Sequence, residues 1–267
     1  MKKIFVVLFL IVSVSIVKAQ TNNSLSDDAL LQIKFDQKTG ERVSPDLDFT
    51  DETGKQIHMR NYFGSKPVIL ILGYYGCPML CTLVLNDVTE CLRNLKASAG
   101  RQFDVVFVSI DPTESYRLAA AKKQNYLQAY RREGSENGWH FLTGDQAAIQ
   151  TLASQIGFHF AYDPKLKQFA HPSGFVVLTP DGKISRYFFG VTFSASEIDT
   201  ALHDAQTGKT SSPVQELFLL CFHYSPFTGK YGKLVIDIVR IGGVVMVIGL
   251  GLVIFSQRGH PRTEKPR

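Results

Sequence analysis

Residues 67–72 form a continuous apolar run, and such a run leaves few choices of fold. A strand with one wet face alternates polar and apolar residues, so an unbroken run indicates a strand buried on both faces. Residues 103–110 form a second such strand, which ends at Asp111 and Pro112. Between the two, residues 78–97 carry apolar side chains at helical spacing. This order predicts an α/β fold.

The chain continues this alternation as far as about residue 206. A turn rich in Asp and Gly at residues 49–55 indicates an N-terminal hairpin. We expect further helices at 113–132, 145–156 and 195–206, and strands at 174–179 and 183–189 around a turn at 180–182. Strands that alternate with helices and end in a hairpin predict a mixed central sheet flanked by helices.

Both ends of the chain have sequence patterns of membrane targeting. The net charge is +5, but residues 1–19 carry +3 and the last ten residues carry another +3, which leaves −1 for residues 20–257. A basic start, a short apolar run and small residues before position 20 predict a cleaved signal peptide at 1–19. The alternative is an uncleaved anchor. Residues 20–42 are polar and predict a flexible tether.

The C-terminal end carries a second long apolar segment. Residues 234–255 have the length of a membrane span, and a basic tail at 256–267 follows them directly. Excess Lys and Arg mark the cytoplasmic side of a span. We therefore predict a transmembrane helix at 234–255 after a juxtamembrane segment at 208–233, with the tail in the cytoplasm and the domain at 43–207 outside it. The alternative is a buried core helix.

The composition and motifs exclude several classes of protein. The apolar fraction of 45% is too high for a disordered chain, and a mean hydropathy of zero is too low for a polytopic membrane protein. The sequence contains no Gly-rich phosphate loop and no basic and aromatic stripe suited to nucleic acid.

Cys77 and Cys81 stand at the corner between the first buried strand and the helix that follows it. The N-terminus of a helix lowers the pKa of a thiol, because free N–H groups and the helix dipole favour the thiolate. A spacing of four would place both sulfurs on one helix face, within reach of a disulfide or of one shared ion. The alternatives are two buried structural cysteines or a plain structural disulfide. The position at a strand-to-helix corner favours a redox or metal role.

His171 is the candidate third ligand. It lies just before the strand at 174–179, in a loop that faces the cysteine helix in a thioredoxin-like topology. Two sulfurs and an imidazole form a donor set soft enough for Cu(I). The alternative for a lone histidine is a surface residue without a role.

These residues resemble the Sco/SenC family of thioredoxin-fold copper-binding proteins, which take part in cytochrome c oxidase assembly. The resemblance covers roughly residues 43–205. It rests on motifs that occur in order: Lys66-Pro67, Gly73-Tyr74, Cys77-Pro78-Met79-Leu80-Cys81, Val108-Ser109-Ile110-Asp111-Pro112, residues 139–144, His171 and Pro180-Asp181-Gly182. The resemblance implies a thioredoxin-like fold, with Cys77, Cys81 and His171 as ligands of copper, Cu(I) or Cu(II). This chain departs from the family by Ala170 in place of the usual Asp, by Pro172, and by its C-terminal anchor.

Two other cysteines need separate interpretations. Cys91 shares one helical face with apolar residues and is predicted to be a core thiol. Cys221 and His223, in the juxtamembrane segment, are two residues apart and could share an ion on an extended chain. Their alternative is an interfacial cysteine with no role.

Three functions follow from these expectations. The first is a metallochaperone that loads the binuclear copper centre of a cytochrome c oxidase subunit after a thiol reductant has reduced Cys77 and Cys81. The second is a thiol–disulfide oxidoreductase that uses the same redox pair to reduce the oxidase cysteines. The third is a copper- or redox-responsive signalling module of the membrane. The expected location is the bacterial inner (plasma) membrane, with the redox domain on the periplasmic or extracytoplasmic side.

Overall fold

The computed structural model of the chain describes residues 25, 31–77, 80–211, 241–243 and 246. The chain divides into two compact units, residues 1–211 and residues 212–267. In the second unit, residues 241–243 and 246 are helical. Over the described part of the chain, no helix combines the length and the apolar character needed to cross a membrane.

The described residues of the first unit form nine strands and four α-helices. The strands are β1 (Asp48–Thr50), β2 (Gln56–His58), β3 (Val68–Gly73), β4 (Asp104–Ser109), β5 (Trp139–Leu142), β6 (Ala161–Asp163), β7 (Gln168–Ala170), β8 (Gly174–Leu178) and β9 (Ile184–Phe189). The helices are α1 (Leu80–Arg93), α2 (Tyr116–Tyr130), α3 (Gln146–Gln155) and α4 (Ala195–Gln206).

A five-stranded mixed sheet in the order β5-β4-β3-β8-β9 forms the centre of this unit. Strands β3, β4 and β5 are parallel, while β8 pairs antiparallel with both β3 and β9. Every residue of β3 and β4 is buried, which is the physical reason for their apolar sequences. The predicted mixed sheet flanked by helices is therefore confirmed, and this is a thioredoxin-like arrangement.

Helices α2 and α3 begin at side-chain caps, and α1 packs through the apolar face that its spacing predicts. The side chain of Asp145 accepts a hydrogen bond from the Ala148 N–H at the start of α3. On α1, Val84, Val88 and Cys91 are all buried. The prediction of Cys91 as a core thiol is confirmed.

Two small hairpins accompany the central sheet. Strands β1 and β2 form the predicted N-terminal hairpin, with Phe49 paired to Ile57. Strands β6 and β7 form a second hairpin of three residues on each side. This second hairpin was not predicted, and it leads directly to His171.

Residues 34–42 require a correction, because the sequence assigned them to the flexible tether. The backbone of residues 34–36 exchanges hydrogen bonds with residues 157–159, and Gly40 donates to the carbonyl of Ile184. The Phe35 ring packs edge-on against Phe158, Tyr187 and Phe189, at centroid distances of 5.2, 5.1 and 5.7 Å. The composition of this segment is polar, but one aromatic side chain and its backbone bonds attach it to the domain.

Several predicted segments lie outside the described residues. They are the signal peptide at 1–19, most of the juxtamembrane segment with Cys221 and His223, most of the transmembrane helix at 234–255, and the tail at 256–267.

Candidate metal centre

The loop between β3 and α1 brings together Cys77 and Cys81, the two cysteines predicted to bind metal. Strand β3 ends at Gly73 and helix α1 begins at Leu80, so Cys77 precedes the helix and Cys81 lies in its first turn. The two sulfurs therefore do not share a helix face, which was the arrangement considered from the spacing of four. Instead, the Cys81 N–H donates a hydrogen bond to the Cys77 Sγ at 3.3 Å.

His171 completes a three-residue group. It lies between β7 and β8, and its Nε2 is 3.0 Å from the Cys81 Sγ. The Sγ atoms of Cys77 and Cys81 and a ring nitrogen of His171 all lie within 4.8 Å of one another. Both cysteines are buried, and His171 is half-buried. The strand order of the sheet brings these residues together. Strand β8 lies beside β3, so the loop before β8 lies close to the residues that follow β3.

The imidazole of His171 is held in an orientation suited to ligation. Its Nδ1 is 2.8 Å from the Pro172 carbonyl oxygen, which can only accept, so Nδ1 carries the proton of this hydrogen bond. In the neutral ring the Nε2 lone pair is then free to face the sulfurs. Ala170 stands where the Sco/SenC resemblance implies an acid. In this chain the Pro172 carbonyl supplies the orienting hydrogen bond.

Two aromatic rings enclose the same imidazole. Phe158 is stacked on it at a centroid distance of 5.8 Å and an interplanar angle of 28°. Tyr74 meets it edge-on at 5.9 Å and 82°. Tyr74 lies inside the motif that the sequence singled out, but Phe158 had no local signal, because its contact with His171 depends on the tertiary fold.

The electrostatics of Cys81 differ from the sequence expectation. The Cys77 thiol and burial together raise the pKa of Cys81, despite its place in the first turn of a helix. The predicted lowering of the thiol pKa is therefore wrong for Cys81. Burial and the neighbouring Cys77 also raise the pKa of Tyr74. A soft metal cation would favour the thiolate forms of the two cysteines over the protonated thiols, because it binds the thiolate directly.

Gly73 is required by close packing at the site. A Cβ atom at this position would lie 2.9 Å from the Phe107 Cζ and 3.0 Å from the Cys81 Sγ. Both distances are shorter than ordinary van der Waals contacts. The absence of a side chain at Gly73 therefore lets Cys81 pack directly against the end of β3.

Comparisons with known proteins identify a family and a relative of this chain. The SCO1/SenC family model matches residues 35–205. A Stutzerimonas stutzeri protein named for copper binding is 24% identical over 147 residues, which cover 54% of this chain and 68% of that protein.

Solved structures show the same fold. A protein from Aquifex aeolicus VF5, described as an electron transfer protein, is 26% identical with a TM-score of 0.57, over 64% of this chain and 96% of that one. BsSco, described as a member of the Sco family of cytochrome c oxidase assembly proteins, is 22% identical with a TM-score of 0.51, over 66% of this chain and 99% of that one.

Proposed function

The chain belongs to the SCO1/SenC family, and from this premise we propose that it is a copper-binding metallochaperone that helps to assemble the binuclear copper centre of cytochrome c oxidase. The observation that carries the proposal is the group of Cys77, Cys81 and His171, whose donor atoms lie within 4.8 Å of one another. A relative from Stutzerimonas stutzeri that is named for copper binding supports the choice of metal.

The chemistry of the donor set favours Cu(I). The two thiolate sulfurs are soft donors that favour the soft ion Cu(I), and the imidazole nitrogen is a donor that copper also accepts. The group has three members among the residues that the structure describes. A closed structural zinc site takes four protein ligands, so a set of three does not match one.

Copper loading requires the reduced, deprotonated pair. A disulfide cannot ligate, so a thiol reductant must first supply two electrons and two protons to the pair. Binding of Cu(I) then displaces the thiol protons to solvent, because the thiolate is the ligand. The exposed Gly76 lies directly before Cys77, and His171 is half-buried, so an acceptor protein can approach the ligands from this side.

A thiol–disulfide oxidoreductase is the second candidate, and one contact favours it. The Cys81 N–H donates to the Cys77 Sγ at 3.3 Å, which would favour the negative charge on Cys77 when the pair loses a proton. Cys77 would then attack the substrate disulfide and Cys81 would resolve the mixed disulfide. Dithiol exchange does not need His171, so the histidine separates the two functions.

An anaerobic Cu(I) titration of the reduced full chain against a chelator tests the metallochaperone. We expect His171→Ala to weaken Cu(I) binding by at least about tenfold, because one of three ligands is lost. His203→Ala, on the exposed side of α4, is the matched control and should bind like the wild type. Equal, weak binding by the wild type and His171→Ala would reject the three-ligand site.

Export and membrane anchoring belong to the same proposal and rest on the sequence. We propose that the domain lies on the extracytoplasmic side of the bacterial plasma membrane, with residues 256–267 in the cytoplasm. A protease-protection assay on intact spheroplasts should cleave the domain from outside. Protection of the segment around Trp139 until the membrane is permeabilised would contradict this topology.

A further inference from the structure

The loop that carries Cys77 is held partly by a hydrogen bond of its own. Between the end of β3 and the start of α1, the Cys77 N–H donates to the Tyr74 carbonyl at 3.3 Å. The loop must hold one conformation here, because the Cys77 Sγ has to stay near Cys81 and His171. The backbone of Tyr75 and Gly76 is held by a residue from another part of the chain.

That residue is Glu114. Its Oε2 accepts hydrogen bonds from the Tyr75 N–H at 2.8 Å and from the Ser109 hydroxyl at 2.6 Å. Its Oε1 accepts from the Gly76 N–H at 2.6 Å. Burial raises the pKa of Glu114, while these three donors favour the carboxylate. Hydrogen bonds to an ionised acceptor are about twice as strong as those between neutral groups.

The parallel sheet brings Glu114 to this loop. Strands β3 and β4 pair so that Gly73 lies beside Ser109, and both strands end at the same edge. The turn that follows β4 then places Glu114 next to the residues that follow β3, and the Glu114 N–H donates to the Asp111 carbonyl at 3.2 Å. The acid is thus anchored independently of the loop that it binds.

We propose that Glu114 is a positioning residue of the cysteine site, which sets the place of Cys77 relative to Cys81 and His171. The second of the two Glu114-bound N–H groups belongs to Gly76, directly before Cys77, so a change at Glu114 passes directly to the Cys77 sulfur. Cys81 is held differently, by helix α1 and by its packing against Gly73. Glu114 therefore acts on one of the two cysteines. This inference deepens the proposed function and rests on it for the role of copper.

Glu114→Gln tests the proposal with little change in size. Its amide group presents a donor where the carboxylate accepts, so one of the two loop N–H groups loses its partner. Glu114→Asp keeps the charge but is too short to reach both N–H groups, and it serves as the second variant if Glu114→Gln does not fold. Glu133→Gln, at an exposed acid, is the matched control.

The measurement is the alkylation rate of each cysteine in the reduced full chain, resolved by mass spectrometry, with the thermal midpoint measured beside it. We expect Cys77 to react about fivefold faster in Glu114→Gln, as the loss of one hydrogen bond of about 1 kcal/mol implies. Cys81 should stay within about twofold of the wild type. Glu133→Gln should change neither rate.

Two results would overturn the inference. One is an unchanged Cys77 rate in a folded Glu114→Gln variant. The other is an equal change at Cys77 and Cys81 with a large fall in the thermal midpoint, since that would show a general loss of structure. Alkylation needs no copper, so a wild type that binds no Cu(I) would reject the proposed function and leave this test valid. If copper binds, Glu114→Gln should also weaken it by about fivefold or more.

Discussion

Gly73→Ala is the substitution at which the packing around the cysteines can be tested most directly. The added Cβ would lie 3.0 Å from the Cys81 Sγ and 2.9 Å from the Phe107 Cζ, whereas ordinary contacts begin at 3.4 Å. Phe107 is buried and packs against the rings of Tyr75 and Phe141, at centroid distances of 5.2 and 5.8 Å. The ring has little room to move, so the Cys81 sulfur must be displaced by at least about 0.4 Å.

The size of the effect follows from the cost of overpacking. An extra methyl group in a closely packed core costs about 1–3 kcal/mol of unfolding free energy. For a domain of this size, each 1 kcal/mol lowers the thermal midpoint by about 2–4 °C. Because the displaced atom is a ligand that lies 3.0 Å from the His171 Nε2, we expect copper affinity to fall as well, by about tenfold.

The assay combines chemical denaturation of the reduced protein with a Cu(I) chelator competition. Gly144→Ala is the matched control, because its Cβ would lie 2.6 Å from the Phe49 Cδ1, away from the cysteines. The control should lose stability and keep its copper affinity. The reasoning fails if Gly73→Ala matches the wild type in both measurements, or if Gly144→Ala weakens copper binding equally.

Three further predictions concern other parts of the chain. Burial lowers the pKa of His140 below its ordinary value of 6.5, so the unfolded state binds more protons than the folded state around this pH. The free energy of unfolding should therefore fall as the pH drops below about 6.5. His140→Gln should therefore flatten the fall in unfolding free energy between about pH 7 and about pH 5, as measured by urea titrations. Phe35→Ala should lower the unfolding free energy by about 2 kcal/mol, and an unchanged urea midpoint would restore the view of this segment as a tether. Cys221→Ser combined with His223→Ala should leave copper stoichiometry unchanged in a metal analysis of the full chain, while a lower stoichiometry would establish an auxiliary site.

The elements that the sequence predicted well are those whose burial is visible in local periodicity. Strands β3 and β4 have apolar runs because both faces are covered, and Cys91 was assigned to the core because it shares a face of α1 with Val84 and Val88. The β6–β7 hairpin was missed, because three residues per strand are too few to show an alternating pattern. The attachment of Phe35 was missed for a related reason, since its partner rings lie more than a hundred residues away in the chain.

By itself, the sequence determined the α/β class, the two buried strands and the chemical types of the candidate ligands, because residue type and local spacing record burial and donor chemistry. Tertiary structure decided how those ligands are held. The order of β3 and β8 in the sheet brings His171 to Cys81, the Pro172 carbonyl fixes the imidazole, and the parallel register of β3 with β4 brings Glu114 to the Cys77 loop. The contacts of His171 with Cys81 and of Glu114 with the Cys77 loop join residues far apart in the chain, and a local pattern contains no information about such distances.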